Sequence, residues 1–555
     1  MVTSTLATAE RRLAVVRPWW RRQSALAVHA VSLVVASAVL FSQLPGQWFF
    51  FDEFEYLGSS RDQYSFLENL LRPHNEHWSV LTGVTYGVLR DSVGLRSYWP
   101  YVLPVLAVHL LTAHLLWRLM FRLRADPWVA TGLAAVFAMA GAGYENVVWA
   151  FQLAFVASTA CGLAATLIII GQGPLLPRRR VALVVLSTVN LTVSGLGVVW
   201  LVVCGLLLLR RCGPRIAMTT LALPLSLYVF WILWFHVETA SKTISGSSFV
   251  MTMFEFVLVG LVATGYRLIG MEPQQSAWGL ALALGVVLGL VATGWSRGRS
   301  AERTAQQAAW LALFAPLFYL VASTARVREA DGVGTAVASR YYYSVVVSIL
   351  PLVAILLTGL LRRSSWLVAP VGAAISVLVI VAAGTYVRSA DGWRNEAERF
   401  HRTALAEMDL LQSGADVYPG NPPETLMFPG YLTQADLRRW IETDEIERRE
   451  LTDIDRATAS LILQVKIEPS APSESRDCSR NVVTVAPSAQ SPRLLVRRGG
   501  LVGLTVVDPQ GVRSRPRNQV LEPGTYALSS LIAGTLELVE ADGSAGLCPG
   551  ASPES

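Results

Sequence analysis

Apolar residues fall in blocks of about 20 along most of this chain, the length that spans a bilayer. Blocks cover 24–43, 99–120, 128–143, 149–170, 181–209, 216–237, 250–270, 277–295, 308–324, 342–361 and 366–386. Each is closed by arginines or a short polar loop. After 387 the pattern changes. "DGWRNEAERFHRTALAEMDLLQ" repeats apolar residues at helical spacing, a Pro/Gly-rich connector follows at 418–430, and a second helix is expected over 433–448. From about 481, Val/Leu/Thr runs alternate with Pro/Gly turns, as short strands do. The expectation is a polytopic α-helical membrane protein with a C-terminal α+β region that ends in a small β-sandwich.

Arginine placement gives the expected sidedness. Arg11, Arg12, Arg17, Arg21 and Arg22 precede the first block and put the N-terminus, 1–23, in the cytoplasm. "RLMFRLRADP", "LPRRR", "RRCGPR", "WSRGRSAER" and Arg362–Arg363 mark later cytoplasmic ends. The run 181–209 reads as two short helices, because "NLTVSGLG" interrupts it. Only one full crossing fits between 238 and 296, so 250–270 is expected to lie at the outer interface or to re-enter. About eleven crossings result, within a transmembrane domain at 24–386. The first outer loop is 44–98. A helical connector at 387–477 and a β-rich domain at 478–555 are placed outside the cell membrane. The first block lacks a small-residue cleavage site and reads as an anchor.

Composition agrees with this class. The chain has 555 residues, 53% hydrophobic and 15% charged, against about 25% charged in soluble domains. The net charge of +6 is a topology signal, since the arginines cluster at block ends; no nucleic-acid partner is expected. Lys242 and Lys466 are the lysines, an arginine bias that suggests a GC-rich genome. Cys161, Cys204 and Cys212 lie in or beside apolar blocks without metal-site spacing. Cys478 and Cys548 bracket the β-rich tail and could form a disulfide outside the cytoplasm.

Polar residues beside membrane segments mark function by default, and here they gather on the expected outer face. The first loop carries Asp52, Glu53, Glu55 and Tyr56 in "FFFDEFEYL", then His74, Asn75, Glu76, His77 and Trp78 in "RPHNEHW". The next outer turn, "GYENVVWAFQ", carries Glu145, Asn146 and Gln152. Asn190 and Ser194 follow, and "ASRYYY" brings Arg340 and Tyr341. Taken singly, the carboxylates could face water, the histidines could be interfacial, and Tyr341–Tyr343 could belong to an aromatic belt. On a helix, His74 and His77 would share a face and could bind a divalent metal with Glu76 or a carboxylate of the first cluster, Asp52, Glu53 or Glu55.

The order of these features resembles the GT-C superfamily of membrane glycosyltransferases, whose relatives include protein O-mannosyltransferases and lipid A aminoarabinose transferases. The family's outer-loop Asp-Glu pair followed by Tyr matches Asp52-Glu53-Phe54-Glu55-Tyr56. Its Pro-containing segment and membrane-lying helix match "RPHNEHWSVLTGVTYGVLRDSVGLRSYWPYVLPV". Its carboxylate after the third crossing matches Glu145, and its late "RY" before a Pro-containing helix matches Arg340-Tyr341 in "SRYYYSVVVSILP". The resemblance covers 20 to about 390, and an actinobacterial cell-envelope type is expected. "HNEHW" departs from the Lys-Pro-Pro of many relatives and leaves sugar and acceptor open.

The resemblance implies a polyprenyl-phosphate sugar donor and a glycan, lipid or protein acceptor at the extracytoplasmic face of the cell membrane. Asp52 is expected as general base with Glu53 second, and Arg340 with Tyr341 at the donor phosphate. Tyr56, His74, Asn75, Glu76, His77, Trp78, Glu145, Asn146 and Gln152 are expected to line the substrate cavity. A divalent metal held by His74, His77 or Glu145 could share the charge. Two other functions fit the same composition: a transporter or flippase of a lipid-linked or polysaccharide precursor, and a scaffold that recruits envelope enzymes through its tail.

Overall fold

The computed structural model describes residues 2–59, 62, 64–74, 77–235, 247–271, 299–327, 332–423, 431–470, 478, 481–485, 487, 492–497, 500–540 and 545–548. The expected crossing at 277–295, the Lys242 loop, and the candidates Asn75 and Glu76 lie outside these residues. Contacts divide the chain into two compact units. One comprises Met1–Pro45, Leu70–Thr85 and Tyr101–Gly392; the other comprises Gly46–Asn69, Tyr86–Pro100 and Trp393–Ser555. Two stretches of the first outer loop therefore group with the tail rather than with the helical domain.

The first unit is helical, as the bilayer requires of a chain whose backbone polar groups must be satisfied internally. Its order runs through α1 (Val2–Phe41), α2 (Val80–Val93), α3 (Trp99–Arg122), α4 (Pro127–Ala138), α5 (Leu153–Ile169), α6 (Pro177–Val193), α7 (Leu196–Cys212), α8 (Pro214–Phe235), α9 (Ser247–Leu268), α10 (Arg299–Ala312), α11 (Phe314–Arg326), α12 (Ser339–Arg363) and α13 (Val368–Gln412). The far ends of α2 and α13 belong to the second unit. Among the described residues eight helices are long and apolar enough to cross a membrane. Seven of them fall on expected crossings, and the eighth is the α9 segment. The crossings expected at 128–143 and 181–209 form helices of 12, 17 and 17 residues, which are shorter.

α9 is an unbroken helix of 22 residues, so the re-entrant form expected for 250–270 does not occur. Its neighbours change along its length. Phe256 packs edge-on to Tyr319 of α11, and Thr264 Oγ1 lies 2.9 Å from the Tyr319 hydroxyl. Arg267 and Leu268 share a small cavity with Gly141, Gly143 and Tyr343 of α12, and Gly270 lies against Val381 of α13. α9 contacts α11, α12 and α13 in turn, and it is itself long and apolar enough to cross a membrane.

Close approaches hold the helices together. Gly162 of α5 leaves room for the Trp200 ring of α7, and Gly260 of α9 does the same for Tyr319. A side chain at either glycine would meet the ring at or below about 2.2 Å. At the opposite end, the Asp126 side chain caps α4 through the Trp128 N–H at 2.9 Å. The Asp126 N–H donates to Thr358 Oγ1 at 2.8 Å.

In the second unit two helices, α14 (Gln434–Thr443) and α15 (Asp453–Gln464), precede a sandwich of two four-stranded antiparallel sheets. With β1 (Pro73–His74) and β2 (His77–Trp78) in the first unit, the sandwich strands are β3 (Val465–Ser470), β4 (Val482–Val485), β5 (Arg493–Val496), β6 (Gly500–Val507), β7 (Arg517–Leu521), β8 (Gly524–Ser530), β9 (Gly534–Glu540) and β10 (Ala545–Cys548). The sheet orders are β10-β5-β8-β3 and β4-β9-β6-β7. The β region begins at Val465, inside the segment expected to be helical connector. Its core gathers Val485, Leu494, Leu504, Leu528, Leu536 and Leu547, with Leu461 of α15. Cys478 and Cys548 are joined in a disulfide.

Both helices start with a capping box, in "TQAD" and "TDID". In the second, Asp455 is fully buried and accepts from the Thr452 N–H and hydroxyl, each at 2.8 Å, and from the Arg515 guanidinium at 2.5 Å. Burial alone would raise its pKa, but these hydrogen bonds and the Arg515 charge outweigh it and hold the carboxyl below its ordinary value. A depressed carboxyl contributes stability above the unfolded-state pKa, and this is lost as pH falls through the folded one. Asp455→Asn should cost about 2–3 kcal/mol near neutral pH and remove part of the acid sensitivity. Thermal unfolding of the purified protein from pH 7 to pH 3 checks both; equal acid sensitivity in the two proteins would refute the assignment.

Candidate functional site

One candidate cluster lies in the second unit, at "QWFFFDEFEYL". Phe51 has φ of 57°, a left-handed conformation uncommon for an aromatic residue. Strain of this kind, of order 1–3 kcal/mol, persists only where surrounding contacts impose it. Here Phe50 packs on Trp393 and Phe400 at 4.6 and 5.1 Å, Phe49 meets Tyr98 edge-on at 5.0 Å, and Trp48 stacks on His401 at 4.5 Å. The turn leads directly into a short helical stretch, Phe51–Glu53.

Glu53 points inward and has no exposed surface. It accepts from the Phe50 N–H at 2.5 Å, from the Tyr98 hydroxyl at 2.9 Å, and from the Tyr86 hydroxyl. A carboxylate occupied by three donors and shut off from solvent is a structural pin, not a base waiting for an acceptor. This changes the standing of Glu53 from second candidate base to positioning residue. Asp52, its neighbour, stays half-buried at the surface of the turn, as does Glu55. Tyr56 is buried with its ring 5.7 Å from Tyr86.

Further contacts tie this loop within the same unit. The Ser59 N–H donates to Asp436 at 2.7 Å, and Asp62 takes both Arg90 and Arg439, at 3.2 and 3.0 Å. Phe54 lies 6.2 Å from Trp440. Tyr86, Tyr98, Asp436 and His401 are the partners that sequence reasoning missed. Only Asp436 left a local signal, the T-x-x-D of a capping box.

A separate candidate cluster lies in the helical unit. Glu145 opens a one-turn helix, Glu145–Val148, and its carboxylate pairs with Arg340 at 3.4 Å. Arg340 also lies over the Tyr341 ring, 5.4 Å from its centre. The Glu145 N–H reaches Ser339 Oγ at 3.5 Å, and that hydroxyl donates to the Ala142 carbonyl at 3.2 Å. The Asn146 amide donates to Gln152 Oε1 at 3.3 Å, and both residues are buried. The three tyrosines do not form an aromatic belt. All are buried, and Tyr343 Oη lies 3.0 Å from His109 Nδ1, whose Nε2 is 3.0 Å from the Ala138 carbonyl.

Tyr341 also walls a cleft of about 230 Å³, whose surface is mainly Phe155, Val199, Tyr228, Phe318 and Val321, with His77 and Arg326 as its ionisable groups. His77 reaches the cleft from the β1–β2 ribbon, not from a helix. His74 and His77 are cross-strand partners there, so they share one side of the ribbon. His74 is buried against Phe151 at 5.0 Å, and His77 meets Phe155 at 6.4 Å. Trp78 stacks on Trp231 at 5.0 Å and donates to the Leu70 carbonyl at 2.9 Å, while Trp231 donates to Leu71 at 2.6 Å. The ribbon is thereby clamped onto α8.

Among the described residues no three His, Cys, Asp or Glu side chains converge as metal ligands. His74 and His77 lie against aromatic rings, and Glu145 pairs with Arg340. Asn190 accepts from Ser158 at 2.5 Å, and Ser194 Oγ accepts from the Leu196 N–H at 3.3 Å. These two polar residues serve the turn between α6 and α7.

Glu53→Gln would turn amide hydrogens toward groups that need an acceptor. It should lower stability by about 1–3 kcal/mol, whereas Asp52→Asn should cost clearly less. Thermal unfolding of both variants in detergent measures this; an equal loss would contradict the separation of roles.

No family model matches the chain, and no curated protein matches it. Among solved structures the chain is similar to ArnT from Cupriavidus metallidurans bound to undecaprenyl phosphate. That structure is 18% identical over 79% of this chain and 92% of its own, with a TM-score of 0.40.

Proposed function

We propose that the protein is a membrane glycosyltransferase that takes a sugar from a polyprenyl-phosphate donor and passes it to a cell-envelope acceptor at the extracytoplasmic face. The observation that carries this reading is Arg340. It is a guanidinium at one end of the helical unit, paired with Glu145 and stacked over Tyr341, a wall of a mainly apolar cleft. Such a cleft suits a hydrocarbon chain, and the adjacent guanidinium offers forked donors to phosphate oxygens. A transporter would place its polar groups near the membrane midplane. The candidate polar residues here gather at helix ends.

In the proposed step the acceptor hydroxyl oxygen attacks the anomeric carbon of the donor sugar. The bond from that carbon to the phosphate oxygen breaks, and its electron pair leaves with the polyprenyl phosphate. Asp52 takes the hydroxyl proton. Arg340 stabilises the charge that develops on the leaving phosphate, a contribution realised mainly in the transition state. Glu145 holds the guanidinium in place before the donor arrives. Glu53 acts through Asp52 by fixing the left-handed turn at Phe51.

Purified protein incubated with radiolabelled polyprenyl-phosphate sugars and envelope glycan fractions should transfer label to the acceptor. Asp52→Asn should lower the rate by about 10²–10⁴-fold, and Arg340→Ala by about 10²–10³-fold, with both variants folded. Full transfer by Asp52→Asn would remove the base assignment. Transport of a labelled lipid precursor without transfer would favour the flippase reading.

A further inference from the structure

We infer that the arginine-bearing end of α12 forms a second lipid site, one that holds an anionic phospholipid in the leaflet opposite the proposed donor cleft. A groove of about 470 Å³ runs between α1, α4, α12 and α13. Its walls are mostly aliphatic, with Val28, Val129, Val371 and Ile375 prominent. Val28 and Val368 on its rim are exposed on helices long and apolar enough to span a membrane, so the medium they meet there is lipid. From Val368 to Ile375 the groove follows α13 for about 10 Å, room for the upper part of an acyl chain.

The mouth determines which lipid fits. Arg362 lines it, and Arg363 follows at the last residue of α12. Both are exposed, and neither has an ion-pair or hydrogen-bond partner among the described residues. The one carboxylate in the lining, Asp126, is engaged as the cap of α4. Trp128 and Trp366, at 41% and 75% exposure, stand where aromatic side chains mark the membrane interface. A guanidinium at the groove mouth, Arg362, with a second exposed arginine next to it in sequence, fits a phosphate with a net negative headgroup, as basic pockets between membrane helices do. Gly372 lines the groove and faces open space, since nothing lies within 4 Å of where its Cβ would be.

The inference does not depend on the transfer reaction. Native mass spectrometry of the full-length protein, with phosphatidylglycerol or phosphatidylcholine added, tests it. The wild type should retain phosphatidylglycerol in preference. Arg362→Gln with Arg363→Gln should reduce that preference by about fivefold per arginine. Gly372→Leu, which fills the groove without touching the arginines, should lower binding of the acyl chain whatever the headgroup. Equal retention of both lipids by the wild type would mean annular lipid only and would overturn the site, as would unchanged retention in Gly372→Leu.

Discussion

The buried carboxylate of Glu53 is the interaction on which the candidate chemistry depends. It draws the Phe50 N–H and the hydroxyls of Tyr86 and Tyr98 onto one group. Three stretches of the first outer loop that are far apart in sequence are thereby held at one point. An acceptor-only group with no solvent is stable only when its lone pairs are used, and here they are. Because the pin is satisfied, Phe51 can be kept left-handed, and Asp52 emerges at the surface of a rigid turn. Packing of this kind gives two adjacent carboxylates different surroundings, one enclosed and one at the surface.

A second constraint comes from the bilayer. A chain in hydrocarbon must satisfy its backbone within each helix, so reactive polar groups are driven to helix ends. Glu145 and Arg340 both start helices, and each supports the other across that gap. Small residues then let neighbours approach: Gly143 meets Tyr343, Gly195 meets His77, and Gly162 meets Trp200.

Much of the architecture was legible because its causes are local. Block length and flanking arginines locate the long helices. Alternation with Pro/Gly turns locates the sandwich from β4 onward, the part that the two tail cysteines bracket, while β3 lies ahead of it. Asp52, Glu145 and Arg340 stood out because a charge beside an apolar block needs a reason. What stayed hidden is long-range. Nothing near Glu53 announces that Tyr86 and Tyr98 will occupy it, so two adjacent carboxylates looked interchangeable. The histidine spacing of "PHNEHW" suggested a shared helix face, but Pro73–His74 and His77–Trp78 pair as strands, and Trp78 stacks on Trp231 far along the chain. The α15 helix falls within the expected helical connector but was not singled out there, although "TDID" is a capping signal; what the sequence hides is that its Leu461 joins the sandwich core.

The central claim is that the Tyr341 cleft, with Arg340 at its side, takes a polyprenyl phosphate. Direct binding of a photoreactive polyprenyl phosphate, followed by mapping of the crosslinked residues, tests it most directly. The account predicts crosslinks to Val199, Phe318 or Val321, competition by unlabelled polyprenyl phosphate but not by polyprenol, and loss of that selectivity in Arg340→Ala. Crosslinks confined to other helices, or equal competition by polyprenol, would contradict it.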